Sequence, residues 1–232
     1  MTTTFITGAN KGLGYETARR LLALGHTVVL GARDKQRGAA AAAALGARVV
    51  PIDVTDDASV AAAAADVEAH EGSLDVLINN AGIIGAHSEP SKLTAADALE
   101  VYDVNLFGVI RTTTAFLPLL TNSADPVIVN VSSGLGSLAL THDPSRIEST
   151  VVAPLYTSSK AALVMLTTQY AKALPGVRVN AVDPGYTATD LNGHSGPQTV
   201  TEGTDAIVAL ATAGPGSPSG RFLHRDGEIS LT

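Results

Sequence analysis

The chain of 232 residues has no cysteine. Disulfides and thiolate-held metals are therefore excluded. Its six histidines are scattered without ligand spacing, so no metal site is expected. Positive charge is not in excess. The formal net charge is −7, which gives no pull toward nucleic acid. No apolar run is long enough to span a bilayer, so no membrane partner is expected. Nothing resembles a leader peptide, because the first strand pattern begins almost at Met1, and a cytoplasmic location is the expectation. Charged residues make up 16% and hydrophobic residues 45%, a balance that suits a folded globular enzyme and argues against disorder. No composition shift divides residues 1–232, and the length suits one large α/β domain with a well-buried core.

Against these absences stands one stretch, Thr7-Gly8-Ala9-Asn10-Lys11-Gly12-Leu13-Gly14. A strand pattern, Thr3–Ile6, precedes it, and a helical pattern through Ala18, Leu21, Leu22 and Leu24 follows. Glycines let the backbone turn tightly and let a ligand approach it closely. The following helix then points free N–H groups and its positive dipole end at that place, which suits a diphosphate.

Strand and helix patterns alternate along the rest of the chain. Thr27–Leu30, Arg48–Ile52, Leu74–Ile78, Val127–Val131 and Val177–Val182 read as strands, with Arg221–Leu223 as a final edge strand. Helices are expected at Lys35–Leu45, Asp57–His70, Thr94–Val101, Val104–Leu120, Tyr156–Leu174 and Thr201–Ala211. Asp56 or Asp57 caps the second of these. The alanine runs Ala39–Ala44 and Ala61–Ala65 are read as surface helices, alanine being the best helix former. Such alternation predicts a Rossmann-type, doubly wound parallel sheet with helices on both faces, and a ligand beyond the carboxyl ends of the strands.

Every stretch with chemical potential falls at such an end. Asn79-Asn80-Ala81-Gly82 closes the fourth strand, where small residues let a flat ligand lie on the backbone. Ser132-Ser133 closes the fifth. Tyr156 and Lys160 stand four apart and share a helix face. Pro184–Thr189 follows the sixth strand. Each also has a plain reading as a turn or an exposed helix pair.

In order and placement, Thr7-Gly8-x3-Gly12-x-Gly14, Asp53, Asn79–Gly82, Asn105, Ser133, Tyr156-x3-Lys160 and Pro184-Gly185 resemble the classical short-chain dehydrogenase/reductase family. The segment Thr7–Asp34 is most similar to its carbonyl-reductase branch. The resemblance implies NAD(P)-dependent, reversible hydride transfer between carbonyls and alcohols, with a small-molecule substrate. It implies that Tyr156 gives a proton to the carbonyl oxygen, that Ser133 orients that oxygen, and that Lys160 lowers the Tyr156 pKa and holds the nicotinamide ribose. Asn105 would hold a water linking Lys160 to solvent. A lysine at about 4 Å would favour the tyrosinate by on the order of 4 kcal/mol, roughly three pKa units at an effective dielectric of about 20. Cofactor contacts are implied for Gly8, Asn10, Lys11, Gly12, Leu13, Gly14, Arg33, Asp53, Val54, Asn80, Ala81, Gly82, Tyr156, Lys160, Pro184, Gly185, Thr187 and Thr189.

The cofactor can be narrowed. The end of the second strand carries Ala32 and Arg33 where NAD enzymes place an acid, and Lys11 lies in the glycine turn. Two cations suit a 2′-phosphate, so NADP(H) is favoured over NAD(H), with Asp34 as the counter-argument. Ser133 and Tyr156 stand 23 positions apart, longer than the usual gap of about a dozen loop residues, and the surplus falls in Thr141–Ser149. The family implies a homodimer or homotetramer, and this insertion leaves a monomer open. Residues 186–200 form a short polar lid, with His194 as a solvated loop residue. Asn130-Val131-Ser132 matches a glycosylation pattern but lies in a strand expected to be buried. A non-catalytic NADP(H) sensor on the same fold and a reductase of C=N or quinone substrates are the alternatives.

Overall fold

A computed structural model describes residues 1–85 and 89–231. Its strands are β1 (Thr3–Thr7), β2 (Thr27–Ala32), β3 (Arg48–Pro51), β4 (Val76–Asn79), β5 (Val127–Val131), β6 (Arg178–Val182), β7 (Phe222–His224) and β8 (Gly227–Glu228). They form one sheet in the order β3-β2-β1-β4-β5-β6-β7-β8. All pairs are parallel except β7 with β8. Strand order reverses between β1 and β4, and the carboxyl ends diverge there to leave a crevice.

Alternate side chains of each strand feed opposite faces. Ile6, Leu30, Ile78 and Val129 pack on one side with Ala18 and Leu21 of α1 (Gly12–Ala23), Ala41 and Ala42 of α2 (Lys35–Leu45), and a C-terminal helix described below. Phe5, Val29, Leu77 and Ile128 pack on the other with Val60, Ala63 and Val67 of α3 (Asp57–Glu71), and with Phe116 and Leu120 of α5 (Gly108–Leu120). Phe5 and Phe116 stack at 4.5 Å between centroids. The alanine-rich helices thus bury a narrow small-residue face, which brings them close to the sheet. Asp34 caps α2, and Asp56 caps α3 by accepting from the Ala58 and Ser59 N–H groups.

The structure departs from the sequence expectations where long-range contacts override local pattern. The two helices expected around residue 103 are joined. α4 (Ala95–Tyr102) runs through a π-helical turn at Asp103–Phe107 directly into α5. The expected Thr201–Ala211 helix is two short ones, α8 (Val200–Gly203) and α9 (Asp205–Ala211). The break is clasped by Arg20, which donates to the Thr201 carbonyl, the Thr204 hydroxyl and the Asp205 carboxylate. The insertion folds as a short helix, α6 (Leu138–His142), and a 3-10 turn at Ile147–Thr150. α7 (Pro154–Ala173) begins at a proline two residues ahead of Tyr156. The β8 edge strand was not foreseen. Among the described residues no helix is long and apolar enough to cross a membrane.

Candidate active site

A cleft of about 530 Å³ opens at the β1–β4 crevice. Its floor is backbone. Gly8 sits at φ +66° with Ala81 Cα only 3.1 Å from where a Cβ would project. A Cβ on Gly14 would lie 2.6 Å from Asn80 Nδ2 and 2.7 Å from the Gly8 carbonyl. The glycine turn therefore packs directly on the β4 end, and α1 starts over the cradle so formed. Thr7 ties the two together, its hydroxyl accepting from the Asn80 and Ala81 N–H groups at 3.0 Å each. Asn80 Nδ2 returns a bond to the Thr7 carbonyl at 2.9 Å. Asn10, Lys11, Gly12, Leu13, Arg33, Asp53, Val54, Asn80, Ala81, Gly82 and Thr189 line the cleft beside Gly8. Gly14 lies behind them. Asp53 is fixed by Thr55, whose N–H and hydroxyl it accepts at 3.0 and 2.7 Å.

The polar rim matters for charge. Asp34 turns to its own helix, accepting from the Arg37 N–H and its guanidinium at 2.9 and 2.8 Å. Its charge is thereby matched by Arg37, which also lines the cleft. Arg33 faces the cleft within the field of Asp53. Lys11 is ion-paired at the rim. It meets Asp190 at 2.9 Å, and Asp190 also meets His194 at 2.9 Å.

The catalytic candidates adjoin this cleft through Gly82. A Cβ there would stand 3.4 Å from Asn105 Oδ1 and 3.5 Å from Lys160 Nζ. Asn105 lies in the π-helical turn and is 1% exposed. Its amide bridges two elements, exchanging bonds with both backbone groups of Ile83 at 2.9 Å and donating to Ser159 at 3.0 Å. Lys160 Nζ is buried and donates to the Val131 carbonyl at 2.8 Å. Ser132 spends its hydroxyl on the Lys160 carbonyl at 3.0 Å. Ser133, whose hydroxyl accepts the Leu135 N–H at 3.2 Å, lies beside the Tyr156 phenol.

The ionisation of this cluster is governed by its withdrawal from water. Lys160 Nζ stands 5.7 Å from the Tyr156 ring centroid. Burial pushes the Tyr156 hydroxyl up to about 12, with the neighbouring Ser133 hydroxyl opposing and the Asp183 charge reinforcing. Burial also drives the Lys160 ammonium down to about 8. In both groups the loss of hydration disfavours the charged form.

Pro184, Gly185 and Thr187 are not among the cleft-lining residues. They form the base of the lid, where Thr187 donates to the Pro184 carbonyl at 3.0 Å and bridges to Gln198. Sequence reasoning missed Thr7 as a donor-collecting hub, Asp190 as the partner of Lys11, and a pair of buried acids, Glu148 and Asp183. The last two lie in an insertion and beside the Pro184-Gly185 motif, so only their acidity inside apolar surroundings was there to notice. A second cavity of about 500 Å³ lies at the other end of the sheet. Its His26, Asp75 and Arg178 are engaged with Thr4, Thr3 and Asp125.

Comparison with known proteins agrees with this geometry. The family described as short chain dehydrogenase matches residues 2–199. The chain is 33% identical to (−)-isopiperitenone reductase of Mentha piperita, covering 97% of both chains. It is 31% identical to salutaridine reductase of Papaver somniferum over 97% of this chain and 94% of that one. Among solved structures, an NADPH-bound carbonyl reductase from chicken fatty liver superposes with a TM-score of 0.88 at 32% identity, covering 100% of this chain and 99% of that one. With the family match spanning most of its length, and a glycine cradle and a Ser–Tyr–Lys cluster at the strand ends, the chain belongs to the short-chain dehydrogenase family.

Proposed function

We propose that the protein is an NADP(H)-dependent oxidoreductase that reduces aldehyde and ketone carbonyls to alcohols, reversibly, as a cytoplasmic enzyme on small-molecule substrates. The observation that carries this reading is the meeting of Ser133, Tyr156 and Lys160 beside Gly82, at the inner end of the glycine cradle. The cradle fits a dinucleotide: its close backbone packing leaves room for a diphosphate against the N-terminus of α1 and for no side chain. The nicotinamide, when bound, supplies or accepts the hydride. Asn10, Gly12 and Leu13 would hold the diphosphate, Asp53 and Val54 the adenine, and Arg33 with Lys11 the 2′-phosphate. Asn80 to Gly82, Pro184, Gly185, Thr187 and Thr189 would frame the nicotinamide half. The similar carbonyl reductase from chicken fatty liver is NADPH-bound, which supports the choice of phosphate form.

In reduction, Tyr156 gives its proton to the carbonyl oxygen. A phenol kept protonated by burial is suited to that direction. Ser133 hydrogen-bonds the same oxygen and aligns it with the phenol. Lys160, held against Val131, presents its amine toward Gly82, where the ribose would lie. Asn105 is a positioning residue, fixing the β4 end to α7.

The test is oxidation of NADPH and NADH against aldehydes, ketones and quinones, with Tyr156→Phe beside the wild type. Turnover with NADPH, weaker turnover with NADH and a loss of about 10³-fold in the variant are expected. Undiminished turnover in Tyr156→Phe would remove the phenol from its role. A preference for NADH would remove the 2′-phosphate site and leave the chemistry standing.

A further inference from the structure

Two cationic side chains converge on one carboxylate at the rim of the cleft. Lys11 of the glycine turn meets Asp190 Oδ2 at 2.9 Å, and His194 Nε2 meets Asp190 Oδ1 at 2.9 Å. The first contact joins residues 179 positions apart and ties the lid to the glycine turn. The second lies within the lid. Asp190 opens a 3-10 turn at Asp190–Asn192. Asn192 braces it, accepting the Thr189 N–H at 3.1 Å and donating to the Thr187 carbonyl at 2.8 Å. The His194 N–H returns to the Thr189 carbonyl at 2.8 Å. His194 stands at φ +61°, the one non-glycine residue in the left-handed region among the described residues. That backbone is unfavourable for a residue with a Cβ, and it accompanies the contact of the ring with Asp190. The lid tip is therefore a self-braced unit, fastened outward through Lys11. Asp190 and Leu191 line the same cleft as Lys11, Arg33 and Arg37. The Lys11 and Asp190 side chains are each 51% exposed, so solvent reaches the pair.

We propose that Asp190 is a specificity-determining residue that competes with the cofactor's 2′-phosphate for Lys11, so that the phosphorylated dinucleotide alone releases the lid from the glycine turn. This rests on the NADP(H) reading, in which Lys11 helps to hold that phosphate. A phosphate monoester carries about one and a half to two negative charges near neutrality and offers three acceptor oxygens, against the single charge of a carboxylate. The Lys11 ammonium, a point charge on a flexible stem, moves to the stronger anion. Asp190 then keeps His194, its partner inside the lid, so the lid parts from the turn as a folded unit. Of the other charges on the cleft, Arg37 is matched by Asp34, which leaves Arg33 to join Lys11 on the phosphate. A dinucleotide with a free 2′-hydroxyl brings no such charge, and the bridge stays closed. The bridge therefore weakens binding of the phosphate form and leaves the other form untouched. Half exposed, it is a small barrier, and a phosphate can break it.

Asp190→Asn removes the charge and keeps the size. Calorimetric affinities for NADPH and NADH are compared in the wild type, Asp190→Asn, Lys11→Met and the double variant. In Asp190→Asn, NADPH binding is expected to tighten about three- to fivefold, with NADH binding unchanged. In the Lys11→Met background most of that gain should vanish. Hydrogen exchange reads the bridge without any ligand. The amides of residues 190–195 should exchange about threefold faster in Asp190→Asn and in Lys11→Met, and no faster in the double variant than in Asp190→Asn. An equal change in the two affinities overturns the proposal, as does a gain for NADPH that persists in full without Lys11. Lid exchange identical to wild type in both single variants also overturns it. A wild type that binds NADH as tightly as NADPH sinks the NADP(H) preference, whereas the fold-change on Asp190→Asn is read within each dinucleotide and stands apart from it. Absence of turnover sinks the reductase reading alone, since neither measurement needs a substrate.

Discussion

The two halves of the cleft are built from different materials. On the β1–β3 side the site is backbone. Gly8, Gly14 and Ala81 pack close enough that main chain lines the cradle, and charge is confined to the rim. On the β5–β6 side the site is buried side chain, where Asn105, Lys160, Glu148 and Asp183 are each under a tenth exposed. The first half is preorganised by shape, and its energetic risk is steric. The second is preorganised by electrostatics, and its risk is desolvation. Substitutions should therefore fail in different ways on the two sides.

The largest effect is expected where shape is tightest. Gly14→Ala forces a methyl to within 2.6 Å of Asn80 Nδ2 and 2.7 Å of the Gly8 carbonyl. The neighbour on one side is backbone and cannot step aside. The loss should be about 3 kcal/mol in denaturant unfolding, with dinucleotide affinity down tenfold or more. A variant as stable as wild type would mean that the cradle has slack.

The catalytic half should show the opposite sign. Lys160 is held at about 8 against an ordinary 10.5, so the folded state resists its protonation. Between those values the unfolded chain binds more protons, and stability rises with pH through that window. At pH 7 the burden is on the order of 3 kcal/mol, offset by roughly 1 kcal/mol from the Val131 bond. Lys160→Met should then be about 2 kcal/mol more stable at pH 7 and inactive. Its stability should lose the rise that begins near pH 8. Tyr156 works the other way, favouring unfolding as pH climbs from 10 to about 12, so the lysine window is read below pH 10. A Lys160→Met protein that unfolds more easily at pH 7 would show that the ammonium is better compensated than its surroundings indicate.

The same contrast decides what was legible in the sequence. The glycine turn is a local device, and strand, turn and helix can be read from Thr7–Gly14 alone. So can β5, whose run Val127–Val131 matches the strand residue for residue. The catalytic half depends on residues far apart in the chain. Glu148 and Asp183, 35 positions apart, both crowd Gly134, and Asn105 reaches Ile83 and Ser159 from a turn that helix periodicity cannot distinguish from an α-helix. The Tyr156–Lys160 spacing was plain, but the burial around the pair was not. Spacing gives proximity but not burial, and burial governs both groups. The break between α8 and α9 was hidden similarly, since Arg20 imposes it from 181 positions away.

The smallest effect sharpens the comparison at the rim, where neither crowding nor burial operates and solvent screens charge. Arg33 and Arg37 both line the cleft, but Arg37 is spent on Asp34 at 2.8 Å, while Arg33 is exposed and feels Asp53. If a 2′-phosphate is read by the cation without such a partner, Arg33→Ala should weaken NADPH binding about tenfold, roughly 1.4 kcal/mol, and leave NADH binding unchanged. Arg37→Ala should act differently. It frees Asp34, whose carboxylate then faces the phosphate, so part of its effect should vanish in the Arg37→Ala/Asp34→Asn double variant. Titrating both dinucleotides by fluorescence at two salt concentrations separates these cases, since an exposed contact weakens with salt. Equal loss of NADPH and NADH in Arg33→Ala would assign that arginine to the shared adenosine and not to the phosphate. The choice of cofactor would then pass to Lys11, which must leave Asp190 to make it.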